Sequence, residues 1–357
     1  MKLAFIGTGK IIHDALYAIR SVEAITPTAV WARPHSLDKA RALADEYNIP
    51  EVYTDYDELL AGTMADTLYI GLVNNVHFEY ARRALLAGKN VILEKPFCGS
   101  YEEALELQEL ALDKNLFLLE AITVLHNGVF DKMRENLPKI GQTRMFLANY
   151  SQYSSRYDEY LNGQIAHPFD PAFYGGALYD INVYNVHYCV GLFGAPLSVA
   201  YYPNKGYNGV DTSGTLIMQY DGFTAVCTGT KDSDSPCFVS IQGEQGYMSL
   251  QGKPNTATVL ETTYITTPFD RKALSDGYGG GATGTALNPA RDASGAIIRE
   301  TATDIYDASA DHTYPHRMTQ EFIEFAEIID GKDHAKAAWL LGESVAVVKV
   351  LDEALHG

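Results

Sequence analysis

No apolar run in this chain approaches the ~20 residues that a membrane-spanning helix needs, so no membrane is expected among its partners. Basic residues are scarce as well. Lys and Arg number 27 against 45 Asp and Glu, a formal net charge of -18, whereas a polyanion partner requires a basic footprint. Nucleic acid is therefore excluded, although a lone phosphate held by backbone amides and one arginine is not. Cysteines number only 4. Cys98, Cys189, Cys227 and Cys237 lack CxxC or Cys/His metal spacing, which points to reduced, partly buried thiols in a cytoplasmic protein and to no metal site. A basic n-region with a cleavage site is missing too, so no signal peptide is expected. What remains is globular: 46% hydrophobic and 20% charged residues over 357 positions, enough for two cores rather than one.

A short apolar strand, Lys2–Ile6, leads into Gly7-Thr8-Gly9-Lys10-Ile11-Ile12. Ile12, Ala15, Leu16 and Ile19 then recur at i, i+3, i+4 and i+7, which is one face of a helix. Strand, Gly-x-Gly, helix is the context of a dinucleotide fingerprint. Gly7 permits the tight turn, Gly9 lets the backbone approach a pyrophosphate, and the helix N-terminus at Lys10 and Ile11 supplies N–H groups to it. Ile12 replaces the third glycine, which should set helix and strand slightly apart. The next strand, residues 27–32, should end in the group that reads the adenosine ribose. A carboxylate there marks NAD, but this chain reads Trp31-Ala32-Arg33-Pro34-His35-Ser36. Nothing in it repels a 2′-phosphate, and Arg33 and Ser36 are placed to bind one. NADP(H) is preferred; NAD(H) stays admissible if Arg33 only stacks on adenine.

Strand and helix patterns continue to alternate as far as residue 121, which predicts a parallel sheet with helices on both faces. Within this run Val91-Ile92-Leu93 meets Glu94-Lys95-Pro96. Proline ends the strand and leaves Glu94 and Lys95 at its carboxyl end, where open α/β sheets bind ligands. The plainer alternative is a surface Glu–Lys pair. Taken in order, the fingerprint, Asn74-x-x-His77 and Glu94-Lys95-Pro96 resemble the Gfo/Idh/MocA oxidoreductases. The resemblance implies that Asn74 and His77 form a cofactor-proximal loop and that Glu94 and Lys95 lie near nicotinamide and substrate. It also admits a cis Lys95–Pro96 bond, at a cost of about 0.5–1 kcal/mol.

The grammar changes at Gly141. Strand patterns follow one another, and Asp221-Gly222 joins two of them as a tight hairpin. The expected architecture is α/β: a Rossmann dinucleotide-binding domain over residues 1–122, then an α+β domain over 123–357 with a large, mostly antiparallel, open-faced sheet of about six strands. By the same resemblance that sheet face implies a homodimer or homotetramer. Residues 270–311 read as a loop, loosest at 277–294. Helix periodicity returns at Met318, Phe322 and Phe325 and again over 335–355, with no chemistry assigned.

Inside the second domain, Gly175-Gly176-Ala177-Leu178-Tyr179-Asp180 runs into Ile181-Asn182-Val183-Tyr184-Asn185-Val186-His187. The pattern after the glycines is helical, so Asp180 and Tyr184, four apart, share a face. Alone this is a buried amphipathic helix. The resemblance instead implies a catalytic Tyr184 with Asp180; Asn182, which stands where the family has glycine, is a candidate substrate contact, and His187 is a substrate contact or supporting group. Upstream, Arg156 and Tyr157 lie in a stretch dense in polar donors and are candidate substrate contacts.

The chemistry expected is hydride transfer between nicotinamide and a sugar, polyol or related cyclic alcohol or carbonyl. A free tyrosine titrates near ~10, too high for a base at neutral pH. The Lys95 ammonium would favour the phenolate, and Asp180 would orient the pair. Two other classes compete: an NAD-dependent glycoside hydrolase working by transient oxidation, marked by an unexchangeable cofactor, and a non-catalytic dinucleotide-binding sensor, marked by binding without hydride exchange.

Overall fold

The structure, a computed structural model, describes residues 1–266, 300–311 and 316–356. Six strands form the first sheet: β1 (Lys2–Ile6), β2 (Thr26–Trp31), β3 (Glu51–Tyr53), β4 (Thr67–Ile70), β5 (Asn90–Glu94) and β6 (Leu118–Ala121). They run parallel in the order β3-β2-β1-β4-β5-β6. Their near-continuous apolar character follows from cover on both faces; Leu3, Ala4, Phe5 and Ile6 are all fully buried. Five helices connect them: α1 (Lys10–Ile19), α2 (Leu37–Tyr47), α3 (Tyr56–Gly62), α4 (His77–Leu86) and α5 (Tyr101–Asp113). The expected face of α1, Ile12, Ala15, Leu16 and Ile19, is buried, and Gly88 ends α4 region with φ +76°, as a glycine C-cap does.

The second sheet has eight strands rather than about six, in the order β14-β13-β12-β11-β7-β10-β9-β8. These are β7 (Thr143–Ser151), β8 (Ser198–Lys205), β9 (Asp211–Tyr220), β10 (Phe223–Thr230), β11 (Phe238–Gly243), β12 (Gly246–Gln251), β13 (Val259–Ile265) and β14 (Thr301–Asp307). Two edge strands account for the difference. β14 lies inside the stretch read as a loop; its residues are exposed or half-buried, so it carries little of the apolar signal that marks a strand. β7 sits in mid-sheet, parallel to β10 and antiparallel to β11, so the sheet is mixed rather than a pure meander. The hairpin at Asp221-Gly222 forms as expected, with Gly222 at φ +85°. The part of the loop expectation at 277–294 lies outside the described residues.

Between β6 and β9 lie α6 (Gly128–Asn136), α7 (Tyr157–Leu161) and α8 (Val183–Phe193). After β14 come the short α9 (Ala308–Asp311), then α10 (Thr319–Gly331) and α11 (His334–His356). Met318, Phe322 and Phe325 are buried as their spacing predicts. These last helices do not stay on the second sheet. Phe322 lies 5.4 Å from Tyr69 of β4, ring centre to ring centre, and Leu341, Val345 and Val348 of α11 join the core under the first sheet. The chain's end thereby ties the two sheets together. All four cysteines are free and buried, and among the described residues no helix is long and apolar enough to cross a membrane.

Candidate active site

A crevice of about 600 Å³ opens at the carboxyl ends of the parallel strands and is faced by β7, α8, β10 and α10. The glycine turn leads into it, with Lys10 and Ile11 at the start of α1 in its lining. Gly7 takes φ +125°, and a Cβ there would stand 2.8 Å from the Gly71 carbonyl oxygen. Thr8 is half-buried beside it. A Cβ on Gly9 would meet nothing, so the backbone is open on that side. No side chain caps α1 and no acid occupies its first turn, which leaves the N–H groups at Lys10 and Ile11 available to an anion. Ile12 is accommodated by a glycine just past a different strand, β4: a Cβ on Gly71 would lie 2.8 Å from Ile12 Cδ1. At the end of β2, Ala32 is buried, while Arg33 is exposed and Ser36 half-exposed in the turn that follows. This cradle fits a dinucleotide carrying a 2′-phosphate.

Asn74 lines the crevice and donates to the Tyr174 carbonyl at 3.3 Å. His77 does not reach it. The ring is fully buried, 2.9 Å from the Pro96 carbonyl and 3.2 Å from that of Leu72, so it pins one loop to the other. Burial holds its pKa below the ordinary value despite both carbonyls. The Lys95–Pro96 bond is cis. Glu94 is buried, takes a close hydrogen bond from the Tyr69 hydroxyl, and accepts from the Lys95 backbone N–H at 3.2 Å; burial raises its pKa.

Lys95 and Asp180 meet as expected. The Lys95 Nζ donates to the Asp180 carbonyl at 2.9 Å and to Asp180 Oδ1 at 3.0 Å, and it lies 5.1 Å from the centre of the Tyr184 ring. Burial disfavours the ammonium, but Tyr184 and Asp180 outweigh it and hold the lysine above its usual range. Asp180 is likewise opposed by burial yet kept well below the ordinary carboxylate value by Lys231 and Lys95. Its segment is not a plain α-helix. Leu178–Asn182 winds as a π-turn before α8 begins, a deviation that recurs at functional sites. Gly176, at φ +118°, makes room for Asp211, whose carboxylate accepts from the Leu178 N–H at 2.7 Å. Periodicity within one segment carries no trace of a cap supplied from another strand.

Three expected substrate contacts are placed elsewhere. Asn182 is fully buried and donates to the Cys227 carbonyl at 2.9 Å; its side chain fills the space above Gly229. His187 is buried between Glu343, 3.0 Å from both oxygens, and Glu120 at 3.5 Å. Burial opposes its charge, but the two carboxylates raise its pKa to about 10. The next turn of α8 has thus rotated this group into the core. Tyr157 packs among Tyr160 and Phe169, outside the crevice lining. Arg156 does line the crevice and is paired with Glu159 at 2.9 Å.

The lining residues without a role assigned from sequence include Tyr150, Lys231, Arg317 and Glu321. Signals for three of them exist. The inward set of β7 runs Phe146, Ala148, Tyr150, and that of β10 runs Ala225, Cys227, Gly229 and on to Lys231. Period-2 alternation therefore aims both at the site. Glu321 falls on the stripe of Met318, Phe322 and Phe325, at i+3 from the first. It is buried with both carboxyl oxygens unpartnered, and burial followed by Glu94 pushes its pKa well up.

A glycine turn feeding a parallel sheet, faced by a lysine, a carboxylate and a phenol, defines a nicotinamide-dinucleotide oxidoreductase. Residues 1–121 match the family described as "Oxidoreductase family, NAD-binding Rossmann fold" (GFO_IDH_MocA), and residues 136–249 match the GFO/IDH/MocA C-terminal domain. The chain belongs to the Gfo/Idh/MocA family of oxidoreductases. It is 37% identical over 249 residues, 69% of this chain and 74% of the relative, to the scyllo-inositol 2-dehydrogenase (NADP(+)) IolU of Bacillus subtilis. It is 29% identical over 257 residues, 70% of this chain and 74% of the relative, to the trans-1,2-dihydrobenzene-1,2-diol dehydrogenase of Xenopus tropicalis. The fold also matches KijD10, a 3-ketoreductase from Actinomadura kijaniata solved with NADP and TDP-benzene. That match has a TM-score of 0.76 at 21% identity and covers 100% of this chain and 97% of that one.

Proposed function

We propose that the protein is an NADP(H)-preferring dehydrogenase or reductase acting on a ring hydroxyl or carbonyl of a sugar, polyol or related cyclic alcohol. The observation that carries this reading is the Lys95 ammonium, bonded to Asp180 and lying over the Tyr184 ring in one crevice. When bound, the nicotinamide takes up or releases the hydride. In the oxidative direction the carbinol hydrogen leaves as hydride and the hydroxyl proton passes to Tyr184, which enters as the phenolate and leaves as the phenol. Lys95 stays an ammonium, because its neighbours hold it charged, so it stabilises negative oxygen instead of exchanging the proton itself. Asp180 fixes the direction of that ammonium. Gly9, Lys10 and Ile11 would hold the pyrophosphate, and Arg33 and Ser36 the 2′-phosphate. The NADP(+) in the name of IolU supports the same preference, and the cyclic polyol and diol in the relatives' names support the substrate class.

The test is turnover of NADP(H) against a panel of cyclitols, aldoses and diketones, followed by Lys95→Met and Tyr184→Phe on the best substrate. Positioned acid–base groups contribute about 10²–10⁴-fold, so each variant should lose at least about a hundredfold in kcat while still binding NADPH by fluorescence. Full activity in both variants would remove the assignment. A homodimer or homotetramer is supported by one face of the second sheet: Ile217, Val226 and Leu147 stand side by side across β9, β10 and β7, half-buried, and among the described residues no helix packs over them.

A further inference from the structure

Lys231 follows β10 directly and continues its inward-facing set, so its side chain is driven under the sheet and only 2% of it remains exposed. The ammonium donates to Asp180 Oδ2 at 2.8 Å and to the Pro168 carbonyl. The Phe169 ring, its centre 4.4 Å from Nζ, seals that side against water. Lys95 is held in the same manner, with two donors spent on the carbonyl and Oδ1 of Asp180. An ammonium carries three donors, so each lysine keeps one, and both lysines line the same crevice. A single carboxylate therefore holds two ammonium groups side by side, one on each oxygen. One would suffice to orient Asp180 and to stabilise a developing alkoxide.

We propose that Lys231 is a second substrate anchor. Its remaining N–H binds the hydroxyl next to the reacting carbon while Lys95 and Tyr184 hold the reacting oxygen, so the site selects vicinal diols and the corresponding α-hydroxyketones. This rests on the dehydrogenase reading above. A site built to bond a substrate hydroxyl rejects the analogue lacking it, because a buried donor is then left unpaired.

The experiment compares kcat/KM with NADP⁺ for trans-cyclohexane-1,2-diol and cyclohexanol, in the wild type and in Lys231→Met. The wild type should favour the diol tenfold or more. In Lys231→Met that ratio should fall towards one, with NADPH binding unchanged by fluorescence titration. If the variant slows both substrates alike and keeps the ratio, Lys231 acts only by holding Asp180 and the proposal is overturned; a wild-type ratio near one overturns it too. Should Lys231→Met fail to fold, the wild type alone decides. trans-2-Aminocyclohexanol, whose ammonium has no acceptor, should then be a poorer substrate than cyclohexanol, and a better one overturns the assignment. Absence of any NADP⁺-linked oxidation by the wild type would instead sink the dehydrogenase reading, and this inference with it.

Discussion

His187 shows what burial does to a single group whose neighbours carry charge. Between Glu343 and Glu120 it is held protonated, with its pKa raised to about 10. An unfolded histidine titrates near ~6.5. Because the folded value is the higher one, its contribution to stability is complete below pH ~6.5 and disappears as pH rises towards 10. Denaturant unfolding at pH 6 and pH 9 should show wild-type stability falling by on the order of 3 kcal/mol. His187→Gln should lack most of that fall; an equal fall in both proteins would mean that other groups cause it. This is structural chemistry behind the site rather than in it. The same helix offers Tyr184 to the crevice and His187 to the core, one turn apart.

At the level of elements, the packing of α1 on the first sheet departs from the three-glycine pattern and compensates for it. The missing third glycine reappears as Gly71, just past β4, directly facing Ile12. Gly71→Ala should therefore destabilise the fold by about 1–3 kcal/mol, as overpacking does. In a double-mutant cycle with Ile12→Ala the combined cost should be less than the sum of the two single costs, since the added methyl meets the Ile12 side chain, with Ile11 beside it. Gly9→Ala should behave in the opposite way. Its added methyl meets no atom, so stability should change by no more than about 1 kcal/mol, while NADPH affinity should drop because the methyl occupies the space left for a pyrophosphate. Thermal melting and fluorescence titration of these variants separate the two glycines. Equal effects on melting from Gly71→Ala and Gly9→Ala would contradict the division.

For the whole molecule, the proposed subunit interface on the second sheet has a measurable consequence. Sedimentation of the wild type should give a dimer or tetramer, and Val226→Glu, in the middle of the Ile217–Val226–Leu147 row, should shift it to the monomer with the secondary structure retained. A monomeric wild type would end that reading. The first sheet was legible because each strand is buried on both faces and each helix carries one apolar stripe, so local periodicity suffices to mark them. Lys95 was legible because it stands beside the proline that ends its strand, whereas Tyr184, which lies within a helix, was singled out only by the family resemblance. β14 was not legible, since an exposed edge strand buries too little to leave an apolar signature. Lys231, Arg317 and Glu321 were not assigned either, although two of them follow the register of buried neighbours. Their role depends on which surface their elements face. By itself the amino-acid order marked the glycine turn and the strand end at Glu94-Lys95-Pro96; only the tertiary structure decided that α8 aims Tyr184 into the crevice and His187 into the core, and that Asp180 is shared by two lysines. Those choices are made by side chains far apart in the chain competing for one buried volume, which no local pattern records.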